Sequence, residues 1–121
     1  MANNEFDNLL TFIEPLKNLN VNDIKYTNMD YDYPDIVNQF QKAVYSSSIK
    51  DLNYVKNMES NGWNDLDIMK RDIPKMTILE IGTCLTAIVR KEKFCAGSLV
   101  SMLKNGIIVK LLERLKECMS K

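Results

Sequence analysis

Two stretches in the C-terminal part of the chain carry the helical pattern that most restricts its fold. Thr77 and Glu80 have the spacing of a capping box, in which each side chain accepts the backbone amide of the other residue. Apolar residues then recur every three or four positions to about Arg90 or Lys91, and they do so again over residues 107–119. Because each apolar stripe must be buried against another element, we predict an all-α fold with these two helices as an antiparallel pair in its core.

Shorter helices are predicted around this pair. The apolar spacing and the turn residues indicate a helix over 6–16, which Pro15 kinks or ends early, and then a loop over 18–33. A second helix opens at Tyr33-Pro34, and a third is capped by Asp51 and ends at Asn61-Gly62. A loop or short helical turn follows over 64–75, and Ser98 caps a short helix that runs from Ser98 to Asn105. The helix after Asp51 is expected to bury Leu52, Tyr54, Val55 and Met58. No segment alternates apolar and polar residues over enough positions to predict a strand.

Length and composition fit one small domain over residues 1–121 with about five helices, and the pattern is clearest over 77–120. The chain has 121 residues, 45% hydrophobic and 26% charged, with zero net charge, so it can fill a core and differs from a disordered protein. A polar start and the lack of a long apolar segment predict neither a secretory signal nor a membrane span. Three cysteines without a Cys-x-x-Cys motif fit a reducing compartment, so we expect a cytoplasmic protein.

The sequence contains no histidine. Histidine is the residue that most often acts as general base and the commonest zinc ligand, and its absence removes every Ser-His or Cys-His nucleophile pair. We therefore expect a non-enzymatic protein without a metal or another cofactor. An enzyme that relies on carboxylates is the weaker alternative.

One run of residues resembles a known family. Residues 85–99 read Leu-Thr-Ala-Ile-Val-Arg-Lys-Glu-Lys-Phe-Cys-Ala-Gly-Ser-Leu, and residues 105–115 read Asn-Gly-Ile-Ile-Val-Lys-Leu-Leu-Glu-Arg-Leu. This part of the chain resembles DUF6508, a family of small bacterial and archaeal proteins of unknown function, most closely over about the last forty residues. The positions that match the family pattern are Arg90, Glu92, Phe94, Gly97 and Gly106. Lys93 stands where the family has arginine, so this position lacks a bidentate guanidinium. The resemblance implies a helical bacterial or archaeal protein and no particular activity.

The candidate binding residues lie in residues 90–98, between two predicted helices, a segment that we call the corner. They are Arg90, Glu92, Lys93, Phe94, Gly97 and Ser98. Free amides at the start of the second helix, with Arg90 and Lys93 across the turn, are typical of an anion or phosphate site. Alternatively, the cations complement the dipole at the end of the first helix, and Glu92 pairs with Arg90 or a lysine. We expect Phe94 to plug the core, Gly97 to allow close approach, and Cys95 to be buried.

The aromatic residues allow two interpretations. Tyr31, Tyr33 and Trp63 either line a groove for a peptide or small ligand, or they pin loops to the core. The acids within residues 30–35 are explained by turns and caps. They do not form a calcium-binding loop, because the positions that require glycine and glutamate hold an aspartate and Gln41.

These observations predict a small interaction or regulatory module that binds a protein partner, or a second copy as a homodimer. The alternative is binding of phosphate, a nucleotide or nucleic acid through the corner. Residues 76–121 hold 8 basic and 4 acidic residues, which falls short of a nucleic-acid footprint. A DNA-reading helix from Ser98 to Asn105 would offer only Lys104 as a basic residue, so a nucleic-acid partner is the less expected one.

Overall fold

Helices make up most of the chain that the computed structural model describes, which is residues 6–27, 30–63 and 71–120, without the side chains of residues 27 and 30. In chain order the elements are α1 (Asp7–Leu10), α2 (Ile13–Lys17), a 3₁₀ helix (Val21–Asp23), β1 (Lys25–Thr27), β2 (Asp30–Asp32), α3 (Asp35–Ser46), α4 (Tyr54–Asn61), a 3₁₀ helix (Ile73–Lys75), α5 (Ile78–Lys91), α6 (Ser98–Lys104) and α7 (Ile107–Met119). This mainly α fold of one small domain confirms the predicted fold class. None of the described helices is long and apolar enough to cross a membrane. Residues 28–29 of the first predicted loop and residues 64–70 of the second lie outside the described residues.

The N-terminal apolar stripe forms two short helices, α1 and α2, on either side of a break at Thr11 and Phe12. Pro15 has no N–H to donate to the carbonyl of Thr11, four residues earlier, and its ring crowds that carbonyl. The predicted kink is therefore confirmed. The apolar residues on both sides of the break are buried, namely Leu9, Phe12, Ile13 and Leu16.

A two-stranded antiparallel hairpin, β1 and β2, replaces part of the first predicted loop. Lys25 pairs with Asp32 and Tyr26 with Tyr31, and the two tyrosine rings lie 4.9 Å apart between centroids. Strands of three residues are too short to show an alternating pattern, and a cross-strand aromatic pair contributes to holding them together. The expectation that the chain has no strand is wrong at this place.

The ends of α3 and α4 follow the predicted residues closely. Pro34 is the N-cap residue of α3, a position where its missing N–H costs nothing. Gly62 ends α4 with a φ of 71°, and its N–H donates to the carbonyl of Glu59 at 3.1 Å. This left-handed ending is the one that the Asn61-Gly62 pair predicts.

α4 does not bury the apolar stripe expected of it. Leu52, just before the helix, is 83% exposed, Val55 is 55% exposed, and no residue of α4 is buried. The helix contacts the rest of the molecule through Tyr54, whose ring lies under Arg90 of α5, and through Met58, which packs against the core. The expected burial of Leu52 and Val55 is wrong. Leu52 precedes α4, and α4 contacts α5 through the face that carries Tyr54 and not through the face that carries Val55.

Asp51 holds the start of α4 against α5. Its carboxylate accepts hydrogen bonds from the Thr83 hydroxyl (2.6 Å), the Asn57 side-chain amide (2.7 Å) and the Asn53 backbone N–H (2.9 Å). Its own N–H donates to the Thr86 hydroxyl at 2.9 Å. The predicted cap residue thus lies three residues before α4 and links the helix to two threonines of α5.

Gly82 allows the segment before Asp51 to lie directly on α5. A Cβ atom at this position would collide with the carbonyl oxygen of Ile49 and lie 3.0 Å from its Cγ1. Because glycine has no Cβ, the backbone of the segment can reach the helix surface here. This close approach brings Asp51 within reach of the α5 threonines.

α5 is the central helix of the molecule. Thr77 and Glu80 form the predicted capping box, with N–H to oxygen pairs at 2.9 and 3.2 Å, and the helix runs to Lys91. Four helices, α3, α4, α6 and α7, pack against it. Almost every residue from 81 to 89 is consequently buried, which is more than an amphipathic stripe requires.

α7 closes the core and contacts helices from both ends of the chain. It packs against α1, α2, α5 and α6, and its Leu111, Leu112 and Leu115 are fully buried. Near its end, the Nε–H of Arg114 donates to the carbonyl of Met76 at 3.0 Å. The end of α7 therefore lies beside the start of α5, as the predicted antiparallel pair requires.

Candidate functional site

The corner between α5 and α6 is held together by its own carboxylate. Glu92, the C-cap residue of α5, accepts the backbone N–H of Gly97 at 3.2 Å and that of Leu99 at 2.8 Å. A carboxylate at this place satisfies amides that a helix start otherwise leaves without a partner, and it complements the helix dipole. The free amides that the sequence suggested for an external anion are thus occupied from within.

Two expectations about the corner are corrected by this arrangement. Ser98 does not cap α6: Gly97, with a φ of 96°, is the N-cap residue, and the buried Ser98 hydroxyl has no hydrogen-bond partner in the described part of the chain. Glu92 does not pair with Arg90 or a lysine in the described part, because its oxygens face the amides of α6 instead.

Tyrosines from the hairpin pack against the corner. An added Cβ at Gly97 would lie 3.0 Å from Cε2 of Tyr31, so the close approach predicted for this glycine is confirmed. Tyr31 and Tyr33 stack with centroids 6.1 Å apart. Burial and the neighbouring Glu92 carboxylate raise the pKa of Tyr33 above its ordinary value. These two tyrosines anchor the hairpin to the corner.

Trp63 does not share a groove with those tyrosines. It is 3% exposed and belongs to the core, and its indole N–H donates to the Asp72 carboxylate at 2.7 Å. A buried indole with a satisfied N–H is an anchor. The alternative of an aromatic groove that includes Trp63 is therefore wrong.

Phe94 and Cys95 are not buried, contrary to expectation. Phe94 is 78% exposed and Cys95 is also exposed. The backbone N–H groups of both residues donate to the carbonyl of Lys91, which continues the turn beyond the end of α5. Tyr31 and Tyr33 contact the corner where the sequence suggested a plug by Phe94.

The two cations of the corner lie on tyrosine rings from other helices. The Cζ of Arg90 is 5.8 Å from the ring centroid of Tyr54 in α4, and the Nζ of Lys93 is 4.9 Å from that of Tyr45 in α3. Cation–π contacts at these distances are attractive. Arg90 therefore belongs to a different site from the amides of α6, and Lys93 lies beside that site.

That site is a cleft of about 270 Å³ at the junction of α3, α4 and α5. We call it the Tyr45 cleft, and its lining residues are Tyr45, Lys50, Asp51, Leu52, Tyr54, Thr86 and Arg90. The Nε atom of Arg90 and the hydroxyl of Tyr45 are buried and have no hydrogen-bond partner among the described residues. Tyr45 and Lys50 carry no signal in the sequence that connects them with Arg90, because they precede it by at least forty residues.

Asp51 contributes a carboxylate to the cleft, but hydrogen bonds with the protein hold it. Burial by itself raises the pKa of Asp51, whereas hydrogen bonds from Thr83, Asn57 and the Asn53 amide lower it, and the net pKa lies below the ordinary value. The carboxylate is therefore ionised at neutral pH and directed toward these donors. Lys50 and Arg90 supply the positive charge of the cleft.

A second, larger cavity of about 660 Å³ lies between the 73–75 helix and α7. It is lined by Arg71, Ile73, Pro74, Lys110, Glu113, Arg114 and Glu117. Both of its carboxylates are paired: Glu113 pairs with Lys17 at 3.4 Å, and Arg114 pairs with Glu117 at 3.2 Å. Within the described ranges, no three acidic or cysteine side chains cluster as a metal site.

The whole chain matches one family model. The model of DUF6508, a family of unknown function, matches residues 1–121. No curated protein and no solved structure matches the chain significantly.

Proposed function

This chain belongs to the DUF6508 family, whose function is unknown, and we propose that it is a non-enzymatic interaction module that binds a partner protein. We place it in the cytoplasm of a bacterium or archaeon, on the cysteine pattern and on the origin of the proteins that the corner resembles. The absence of histidine from the sequence supports a role without catalysis.

The observation that carries the proposal is the apolar surface around α4. Leu52 is 83% exposed and Val55 is 55% exposed, and we call these two residues the α4 surface. The free energy falls when a partner removes exposed apolar side chains such as these from water.

The charges next to the α4 surface favour an acidic partner. Leu52 lines the Tyr45 cleft together with Lys50 and Arg90, and Lys93 lies on the neighbouring Tyr45 ring. Complementary charge at the rim of an apolar contact speeds association and sets specificity. The partner that fits best presents apolar side chains flanked by aspartate or glutamate.

Capture experiments with surface variants test this proposal. The purified protein serves as bait in an extract of its native cell, and a captured protein is then purified and titrated against the bait. We expect the double variant Leu52→Ser, Val55→Ser to weaken binding by at least about tenfold, because it removes apolar area that the partner would bury. Binding should also weaken with added salt.

Phe94→Ser is the matched control, because Phe94 is 78% exposed but lies at the corner and not on α4. It should leave the affinity unchanged, and a loss with this variant alone would contradict the assignment to α4. Sedimentation of the bait alone completes the test. A dimer that the double variant abolishes would mean that a second copy, and not an acidic protein, covers the surface.

The second candidate is binding of phosphate, a nucleotide or nucleic acid through the corner. Arg90 and Lys93 favour it by their charge, whereas Glu92 already uses the amides at the start of α6. This candidate therefore depends on the two cations alone. Lys104 is the one basic residue of α6, so a nucleic-acid ligand has the weaker support.

A further inference from the structure

The Tyr45 cleft has two buried hydrogen-bonding groups that the protein leaves unused. They are the Nε–H of Arg90 and the hydroxyl of Tyr45, neither of which has a hydrogen-bond partner among the described residues. Both residues line the same cleft of about 270 Å³. A buried donor without a partner costs free energy, so two of them in one cleft require an explanation.

We propose that the Tyr45 cleft binds a single oxyanion, the carboxylate or phosphate group of a ligand, through Arg90, Tyr45 and Lys50. Arginine has donors and no acceptor, and its planar fork matches the oxygens of carboxylate and phosphate groups. The Tyr45 hydroxyl donates a further hydrogen bond, and Lys50 adds a second positive charge at the wall of the cleft.

An anion fits the cleft better than a cation or a neutral ligand. The one carboxylate in the lining, that of Asp51, already accepts hydrogen bonds from Thr83, Asn57 and the Asn53 amide. The charges that remain to be complemented are those of Lys50 and Arg90. In a partly buried site, charge-assisted hydrogen bonds to such groups are about twice as strong as neutral ones.

The Tyr54 ring holds the Arg90 guanidinium in place, and Lys93 lies next to the cleft. Arg90 lies over the ring of Tyr54, and Lys93 lies over the ring of Tyr45. Side chains fixed before binding lose less conformational entropy when the ligand arrives. The volume of about 270 Å³ lies just below the usual range of ligand pockets, so the bound group belongs to a small molecule or to one side chain of a partner.

The proposed anion site lies away from the start of α6. There, Glu92 accepts the N–H groups of Gly97 and Leu99, so an external anion would have to displace a covalently tethered one. In the Tyr45 cleft no carboxylate approaches Arg90 closely enough for an ion pair among the described residues. Arg90 is one of the positions that match the family pattern, and in the structure it lines the Tyr45 cleft.

Titration of the purified, isotope-labelled protein by NMR tests the proposal. Inorganic phosphate and acetate serve as free anions. We expect saturable shifts of backbone amides around Tyr45, Lys50 and Arg90 with at least one of them. Arg90→Gln should weaken binding by at least about tenfold and Tyr45→Phe by about fivefold, because each removes donors to the anion.

Lys91→Gln is the matched control, because it removes one positive charge at the same end of α5 from an exposed residue that is outside the cleft lining. Its affinity should equal that of the wild type. Absence of saturable shifts with every anion would overturn the proposal, and so would equal weakening by Lys91→Gln and Arg90→Gln. Tyr45→Phe removes a single oxygen, so the test does not depend on whether Arg90→Gln folds.

A capped peptide, acetyl-Leu-Glu-Leu-amide, and its glutamine counterpart distinguish the source of the anion. Tighter binding of the glutamate peptide than of acetate, lost with glutamine, would assign the oxyanion to a side chain of a partner protein, which rests on the proposed function. Tighter binding of phosphate would assign it to a free phosphorylated ligand. If the anions bind but the α4 surface captures no partner, the proposed interaction function is contradicted and the anion site in the Tyr45 cleft is supported.

Discussion

Asp51 accepts hydrogen bonds from three separate places in the chain. Its partners are a hydroxyl of α5, a side-chain amide of α4 and a backbone N–H just before α4, at 2.6, 2.7 and 2.9 Å. An ionised carboxylate with three donors is stabilised in the folded state, and its pKa is lowered. This one side chain therefore couples the position of α4 to that of α5.

Replacement of Asp51 should lower stability in a pH-dependent manner. We expect Asp51→Asn to reduce the free energy of unfolding by about 1–3 kcal/mol at pH 7, because an amide nitrogen would then face donors. The folded protein holds the Asp51 pKa below the unfolded value of about 3.9. The stabilisation is therefore complete above that value and is lost as the pH falls through the folded pKa.

Urea titrations at a series of pH values check this prediction. The stability of the wild type should fall more steeply below about pH 4 than that of Asp51→Asn. Asp32→Asn is the control, since Asp32 is exposed in β2, and it should change stability by less than about 0.5 kcal/mol. Parallel pH profiles for wild type and Asp51→Asn would contradict the role given to the carboxylate.

At the residue scale, sequence reasoning located the corner but assigned several of its roles wrongly. Glu92, Phe94 and Ser98 are named by the sequence pattern, yet Glu92 rather than Ser98 satisfies the α6 amides, and Phe94 faces solvent. The place expected for Phe94 is instead next to Tyr31 and Tyr33, which reach the corner from about sixty residues away. Local spacing carries no information about such contacts.

Elements whose ends depend on local interactions were predictable. The capping box at Thr77 and the glycine ending at Gly62 involve residues three to five apart, so their geometry can be read directly from spacing. The hairpin was not predictable, because its strands are stabilised by a cross-strand pair and not by a long pattern. The face of α4 that contacts α5 was likewise not predictable, because it depends on contacts with residues far away in the sequence.

Gly82 provides a test at the level of elements. Alanine is normally better than glycine inside a helix by about 1 kcal/mol. We nevertheless expect Gly82→Ala to destabilise the protein by about 1–3 kcal/mol, because the new Cβ would collide with the backbone of Ile49. Thermal or urea denaturation measures the change.

Ala87→Gly in the same helix serves as the reference, because Ala87 is not fully buried. It should also destabilise the protein, by about 1 kcal/mol through helix propensity alone. Glycine to alanine at position 82 and alanine to glycine at position 87 would then both destabilise the protein, although the two residues belong to the same helix. A stabilising effect of Gly82→Ala would show that the 47–51 segment does not lie against α5 as described.

The stability of the whole molecule should depend on α7 and not on the exposed apolar residues. Leu111 is fully buried and Leu79 is 83% exposed. We expect Leu111→Ala to cost about 2–5 kcal/mol and Leu79→Ala less than about 0.5 kcal/mol, as measured by chemical denaturation. Similar costs for the two variants would mean that Leu79 is covered in solution.

The contacts of α7 also bear on the order in which the chain can fold during synthesis. α1 and α2 pack against α7, which leaves the ribosome about a hundred residues later, roughly 5–20 s at ordinary elongation rates. During that interval the apolar faces of α1 and α2 lack this packing partner, and helices of four and five residues are not stable alone. The nascent N-terminal segment can therefore pack mainly against α3, and its full burial waits until α7 has emerged.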